Sequence, residues 1–135
     1  MHGFELIHQL EEHQVLQLHE LYARQWWTDE RTLEDVKKML ASSDLLFAYW
    51  DKQVDKLAAF ARVLTDHVYR AIIFDVIVDE QLRGLGIGKQ LMNDIMKETD
   101  HIERVELYCK EDKVPFYEKL GFSLLPTTWL MRKGS

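Results

Sequence analysis

The stretch Arg83-Gly84-Leu85-Gly86-Ile87-Gly88 constrains this chain more than any other part of it. Its three alternating glycines separate an almost continuously apolar run, Arg70 to Val78, from an amphipathic one, Ile87 to Glu98. The first reads as a central strand buried on both faces. The second reads as a helix with Leu91, Met92 and Ile95 on one face. Glycine permits positive φ and close approach of the backbone. Successive N–H groups in such a loop can converge on an anion. The helix that starts there adds its dipole and its unpaired N–H groups. Arg83 and Lys89 place positive charge at either edge, and the whole reads as a pyrophosphate cradle. The plainer alternative is a loop that only turns a strand into a helix, for which three glycines are more than a turn requires.

Spacing narrows the kind of cradle. A Walker loop, GxxxxGK[ST], needs glycine at 83 and Ser or Thr at 90, where Arg83 and Gln90 stand. A dinucleotide fingerprint needs GxGxxG near the start of a doubly wound fold. Here the pattern is GxGxG, and a run of strands precedes it. The remaining match is [RQ]xxGxG, filled by Arg83, Gly86 and Gly88.

Around the loop the periodicity predicts a strand at Phe4–His8, a helix at Glu11–Gln25 and a second helix at about Leu33–Ala41, N-capped by Thr32. Strands follow at Leu45–Trp50, Val54–Thr65 and Arg70–Val78. After the loop and its helix come a strand at Arg104–Cys109 and a short helix at Val114–Leu120. Pro115 lies in that helix's first turn and Gly121 is placed to cap its end. Phe122–Leu124 and Trp129–Arg132 read as two final strands. The strand–helix–strand unit at the loop implies parallel neighbours, and the strands before it read as an antiparallel meander. The expected fold is therefore a mixed α/β (α+β) domain spanning 1–135.

Composition excludes several classes of function. The net charge of −6 argues against nonspecific binding to nucleic acid and mildly favours a cationic or neutral substrate. Met1 to Leu10 has no long apolar run, so neither a signal peptide nor a membrane span is expected there. A single cysteine, Cys109, cannot form an internal disulfide, and a cytoplasmic setting is the default. His8, His13 and His19 are spaced by five and six, which does not stack side chains on one helix face. No metal site is expected.

The stretch Val76-Ile-Val-Asp-Glu-Gln-Leu-Arg-Gly-Leu-Gly-Ile-Gly-Lys89 resembles the acetyl-CoA motif of the GNAT superfamily of acyltransferases. A second segment, Phe116-Tyr117-Glu118-Lys119-Leu120-Gly121-Phe122, is similar to that family's FYEKLGF segment, in the same order and at the usual separation. The resemblance implies a mostly antiparallel sheet of six to seven strands flanked by about four helices. It implies that the strand ending Val76-Ile77-Val78 splays from the parallel strand beginning near Val105. Acetyl-CoA would then be held by Val76, Ile77 and Val78 together with Arg83, Gly84, Leu85, Gly86, Ile87, Gly88 and Lys89, and by Tyr117. A backbone N–H near Val78 would polarise the thioester carbonyl.

The same resemblance assigns catalysis to Tyr117, beside the CoA sulfur, where a neutral phenol protonates or hydrogen-bonds the leaving thiol. Asp75 is a candidate for orienting the acceptor or a water; alternatively it is a strand acid tied to a structural hydrogen bond. Glu30 and Asp66 are weaker candidates for the base. Trp26 and Trp27 stand where related folds place the acceptor wall; one indole could hold an amine by cation–π attraction, but core packing is their expected use. The chain departs from relatives that carry Asn and Ala before the FY segment, having Lys110 and Lys113 there. Cys109 is expected to be a small buried hydrophobe rather than a nucleophile. The implied activity is acetyl transfer to a primary amine of a small molecule or peptide by direct attack in a ternary complex. A catalytically idle acetyl-CoA sensor and a protein lysine acetyltransferase are the alternatives, and a homodimer is common among relatives.

Overall fold

A computed structural model describes residues 3–134; Met1, His2 and Ser135, which the N-terminal and domain readings included, lie outside it. The elements in chain order are β1 (Phe4–Ile7), α1 (Glu12–Ala23), α2 (Leu33–Ser42), β2 (Leu45–Asp51), β3 (Lys56–Thr65), β4 (Arg70–Val78), α3 (Ile87–Glu98), β5 (Arg104–Leu107) and α4 (Val114–Glu118). The strands make one sheet in the order β1-β2-β3-β4-β5. The first four are antiparallel, and β5 runs parallel to β4.

Strand alternation divides the core in two. Along β2, Phe47 and Tyr49 join the layer with α3, while Ala48 and Trp50 join the layer with α1 and α2. On the α3 side, Leu91, Met92 and Ile95 pack on Ala59, Ala61, Val63 and Ile73. On the other side, Leu18, Leu21, Tyr22 and Val36 pack on Phe60 and Ile77. Small residues Ala58, Ala59 and Ala61 in β3 lie in the layer with α3, while Leu57 and Phe60 of the same strand face α1 and α2. Thr32 caps α2 as expected, accepting from Asp35 N–H at 3.1 Å. A reciprocal cap between Glu11 and Gln14 starts α1. Among the described residues, no helix is long and apolar enough to cross a membrane.

The mixed architecture is the expected one, but the sheet has five strands rather than six to seven. Phe122–Leu124 and Trp129–Arg132 do not form strands. The Phe122 N–H is already used on Tyr117 O at 3.1 Å, and its ring packs edge-on against Tyr117. A turn at Leu125–Thr128, closed by a 3.4 Å bond, then turns the chain aside. The outer edge of β5 is left unpaired by any described residue.

Candidate active site

The sheet opens where β4 carries one residue too many. Arg62 faces Phe74 and Phe60 faces Ile77, so Asp75 and Val76 together oppose Ala61. This is a β-bulge, which bends its strand and re-aims side chains. Asp75 takes the left-handed backbone conformation there, φ 57°. That conformation costs an ordinary residue about 1–2 kcal/mol, and Asp is among the few that tolerate it. β5 pairs with β4 only from Arg70↔Arg104 to Ile73↔Leu107. From Phe74 to Val78 no β5 residue pairs with β4, so the edge turned away from β3 is open. The splay expected between Val76–Val78 and the strand at Val105 is present.

The open edge leads into the glycine loop, whose glycines serve two purposes. Gly84 and Gly86 have positive φ, 84° and 79°, and a side chain at either would meet no atom within 4 Å. They bend the loop and leave its concave side clear. Gly88 has ordinary φ; a Cβ there would touch Phe116 Cζ and Val78 Cγ2, each at 3.6 Å. Gly88 thus lies against Phe116 and Val78 with room for ordinary van der Waals contact. Gly86 caps α3 without a side-chain hydrogen bond, so the first-turn N–H groups of α3 remain available. Arg83 and Lys89 are exposed on either side, and Ile87 is buried beneath.

Phe116 joins this loop to α4, the helix that carries Tyr117. The Tyr117 ring meets Phe116 and Phe122 edge-on, with centroids 5.0 and 6.1 Å away. Burial, with a smaller contribution from Cys109, pushes its phenol up to about 12. Among the described residues its hydroxyl has no hydrogen-bond partner. Tyr117 also lines a cleft of about 1050 Å³ between β5 and the C-terminal segment, with Leu107, Cys109, Leu124 and Trp129.

Asp75 is at the centre of a cluster that the sequence reading did not foresee. Its side chain is only 5% exposed. Oδ2 accepts from Arg31 Nη1 at 2.8 Å, Arg62 Nε at 2.8 Å and the Tyr22 hydroxyl at 3.0 Å. Burial alone would raise its carboxyl, but hydrogen bonds from Arg31 and Arg62 outweigh that and hold it below the ordinary carboxylate range. Burial and then Asp75 push the Tyr22 phenol upward, so it stays neutral. The cluster ties α1, the loop before α2, β3 and β4 together at the bulge. A legible signal existed: Arg62 and Asp75 are the two charges that interrupt otherwise apolar runs in neighbouring strands.

The remaining candidates fall in different places. Trp26 and Trp27 are 70% and 45% exposed, so neither is a core residue. Thr28 anchors their loop instead, buried and bonded to Tyr22 O at 2.7 Å. Lys110 is exposed, and its Nζ lies 3.7 Å from the Trp26 ring centroid. Cys109 is exposed rather than buried, because β5 ends at Leu107. Partial desolvation and then Asp112 hold its thiol above the ordinary value. Asp66 accepts from the N–H groups of Val68, Arg70 and Tyr69, which lower its carboxyl and tie it to the β3–β4 turn. Glu30 is exposed.

Comparisons with known proteins agree with this fold. The acetyltransferase (GNAT) family model matches residues 5–122. An uncharacterized ycf52-like N-acetyltransferase of Prochlorococcus marinus is 33% identical over 116 residues, 83% of this chain and 64% of its own length. Serotonin N-acetyltransferase 2, chloroplastic, of Oryza sativa is 28% identical over 81% of this chain and 56% of its own length. The chain thus spans just over half to under two thirds of these relatives. The crystal structure of a candidate acetyltransferase from Deinococcus radiodurans R1 superposes with a TM-score of 0.80 at 26% identity, covering 96% of this chain and 88% of that one.

Proposed function

Since the chain belongs to the GNAT acetyltransferase family, we propose that it moves an acetyl group from acetyl-CoA to a primary amine of a small molecule, by direct attack while both are bound. The observation that carries this reading is the parting of β4 and β5 after Ile73↔Leu107, beside the glycine loop. An open strand edge can take an extended amide-bearing arm as it would take another strand. The residues present fit that cosubstrate. Gly84 and Gly86 leave the cradle clear, the first turn of α3 offers N–H groups, and Arg83 and Lys89 supply charge. When bound, acetyl-CoA supplies the activated acetyl group and a thiol leaving group.

The chain's own contribution is binding, orientation and one proton-bearing group. Val76, Ile77 and Val78 offer backbone to the arm, and a backbone N–H near Val78 polarises the reacting carbonyl. Tyr117 directs its hydroxyl at the leaving sulfur. Asp75 works as a positioning residue, holding Arg31 and Arg62 at the acceptor side of the bulge. Trp26, with Lys110 over its ring, covers the acceptor mouth, and Trp27 is beside it in the same loop. No metal enters this reading. The lone thiol is consistent with a reducing compartment, which we take to be the cytoplasm.

A thiol-release assay against a panel of primary amines tests the proposal. Turnover that depends on both acetyl-CoA and an amine is expected. Tight acetyl-CoA binding with no thiol release on any amine would make the chain an idle binding module instead.

We also place a second copy of the chain against the open edge of β5. Unpaired strand edges invite pairing. The adjoining C-terminal segment exposes Trp129 at 82% and Met131 at 90%, with Leu124, Leu125 and Leu130 also uncovered. Light scattering on the purified protein is expected to give the mass of a dimer. Replacing Trp129 and Met131 together by Ser should return it to monomer; a wild-type chain that is monomeric at all working concentrations excludes this arrangement.

A further inference from the structure

The acceptor side of the bulge has an unspent cation. Arg62 uses only Nε on Asp75, and its two Nη atoms have no hydrogen-bond partner among the described residues. Its side chain keeps 16% of its surface, and that of Arg31 keeps 32%, so both can be reached from solvent. Two guanidinium groups share one carboxylate, and Tyr22 is neutral, so the cluster carries one net positive charge. This sign is opposite to that of the chain, whose net charge is −6. A bare cationic acceptor gains nothing from such a cluster.

Its position is as informative as its charge. Phe74 and Tyr108 are the residues that follow the last β4–β5 pair along the chain, Phe74 within β4 and Tyr108 just past the end of β5. Their rings meet with centroids 6.1 Å apart, and Tyr108 is 56% exposed. The Arg62 Cζ lies 4.9 Å from the centroid of the Phe74 ring. The contact with Phe74 and the bond to Asp75 together hold the guanidinium and leave its Nη atoms free. A held guanidinium fork of this kind matches a carboxylate or phosphate, which can take two parallel N–H bonds.

We propose that Arg62, supported by Arg31 and oriented by Asp75 and Phe74, is an anion subsite that selects acceptor amines bearing a carboxylate or phosphate group. This inference rests on the acetyl-transfer reading and names the acceptor's chemical class. The amine would lie toward Val76–Val78 and the anionic group toward Arg62, with any aryl or alkyl body against Phe74 and Tyr108.

Binding can be tested apart from turnover. Calorimetric titration would compare 3-phenylpropanoate with its neutral amide, and phenethyl phosphate with phenethyl alcohol, in the presence of CoA. The anion of at least one pair should bind wild type about 30-fold more tightly than its neutral partner, in line with a charge-assisted bidentate contact. Arg62→Gln should abolish the preference, and Arg62→Lys should restore only part of it. The two pairs tell which anion is preferred. Equal binding of anion and neutral partner to wild type in both pairs overturns the subsite, and that result needs no variant to fold. A second arm measures acetylation of matched amines with and without the anionic group. A preference in binding with no acetylation of any amine would sustain the subsite and defeat the acetyl-transfer reading.

Discussion

Tyr117→Phe is expected to lower turnover by about 10²–10³-fold, the usual scale for loss of a positioned hydrogen-bond donor to developing charge. The affinity for acetyl-CoA should change by less than about threefold, since the cradle and the open edge of β4 do not use the phenol. The shifted ionisation of Tyr117 decides what the hydroxyl does. A phenol near 12 stands well above an ordinary thiol at about 8.5. Outright transfer of its proton to a thiolate is therefore uphill by roughly 5 kcal/mol. Tyr117 accordingly acts as a hydrogen-bond donor to the departing sulfur as charge builds there. The pH–rate profile should show no descending limb from this tyrosine below about pH 11. Unchanged turnover in Tyr117→Phe, measured by thiol release with a competent amine, would remove the residue from the mechanism.

Asp75→Asn should lower stability through the loss of one buried charge. Asn has the same shape and also tolerates the left-handed conformation at the bulge, so backbone strain is unchanged. What is lost is the charge that pairs with Arg31 and Arg62. Breaking a buried pair typically costs ~3–5 kcal/mol. Because the two arginines keep 32% and 16% of their surface, roughly 2–3 kcal/mol is the better expectation. For a chain of this size that corresponds to a fall in Tm of about 10 °C.

The pH dependence has a definite sign. The folded carboxyl titrates below its unfolded value, so its contribution is complete above about pH 4–5 and fades as acid passes through the folded value. The gap between wild type and Asp75→Asn should therefore close in acid and stay constant from pH 6 to 8. A gap that persists undiminished at pH 2 would show that the carboxylate is not its source. At neutral pH the variant should raise the KM of the acceptor far more than that of acetyl-CoA, which a purely structural loss would not do.

How much of this was readable in the sequence depends on how local the cause is. The strand Arg70–Val78 and the helix Ile87–Glu98 have the limits the periodicity predicts, because apolar spacing and glycine punctuation are local. The same holds for Thr32 at the start of α2. The bulge was not legible, since a surplus residue is defined only by the partner strand. The Arg31–Asp75–Arg62 cluster joins residues 13 and 44 positions apart, and no spacing rule covers such a set. The final strands failed for a related reason. Phe122–Leu124 and Trp129–Arg132 have strand-like composition, but a strand also needs an edge to pair with, and Phe122 is already committed to Tyr117. Trp26 and Trp27 were misread because their size suggests burial, whereas their loop is pinned by Thr28.

The surplus residue in β4 has a consequence for how such a pocket can arise. Ile77 is four residues beyond Ile73 yet faces the opposite layer, because Asp75 and Val76 together occupy the place of one residue. A β4 shorter by one at that point would keep Phe74, Ile77 and Val78 on their present faces and could run on beside β5 without parting from it. The apolar faces would stay in register, at the expense of the Arg31–Asp75–Arg62 pairing, while the open edge, the re-aimed carboxylate and the room for an acceptor would vanish together. In this fold the distance between an inert sheet and a site is a single codon.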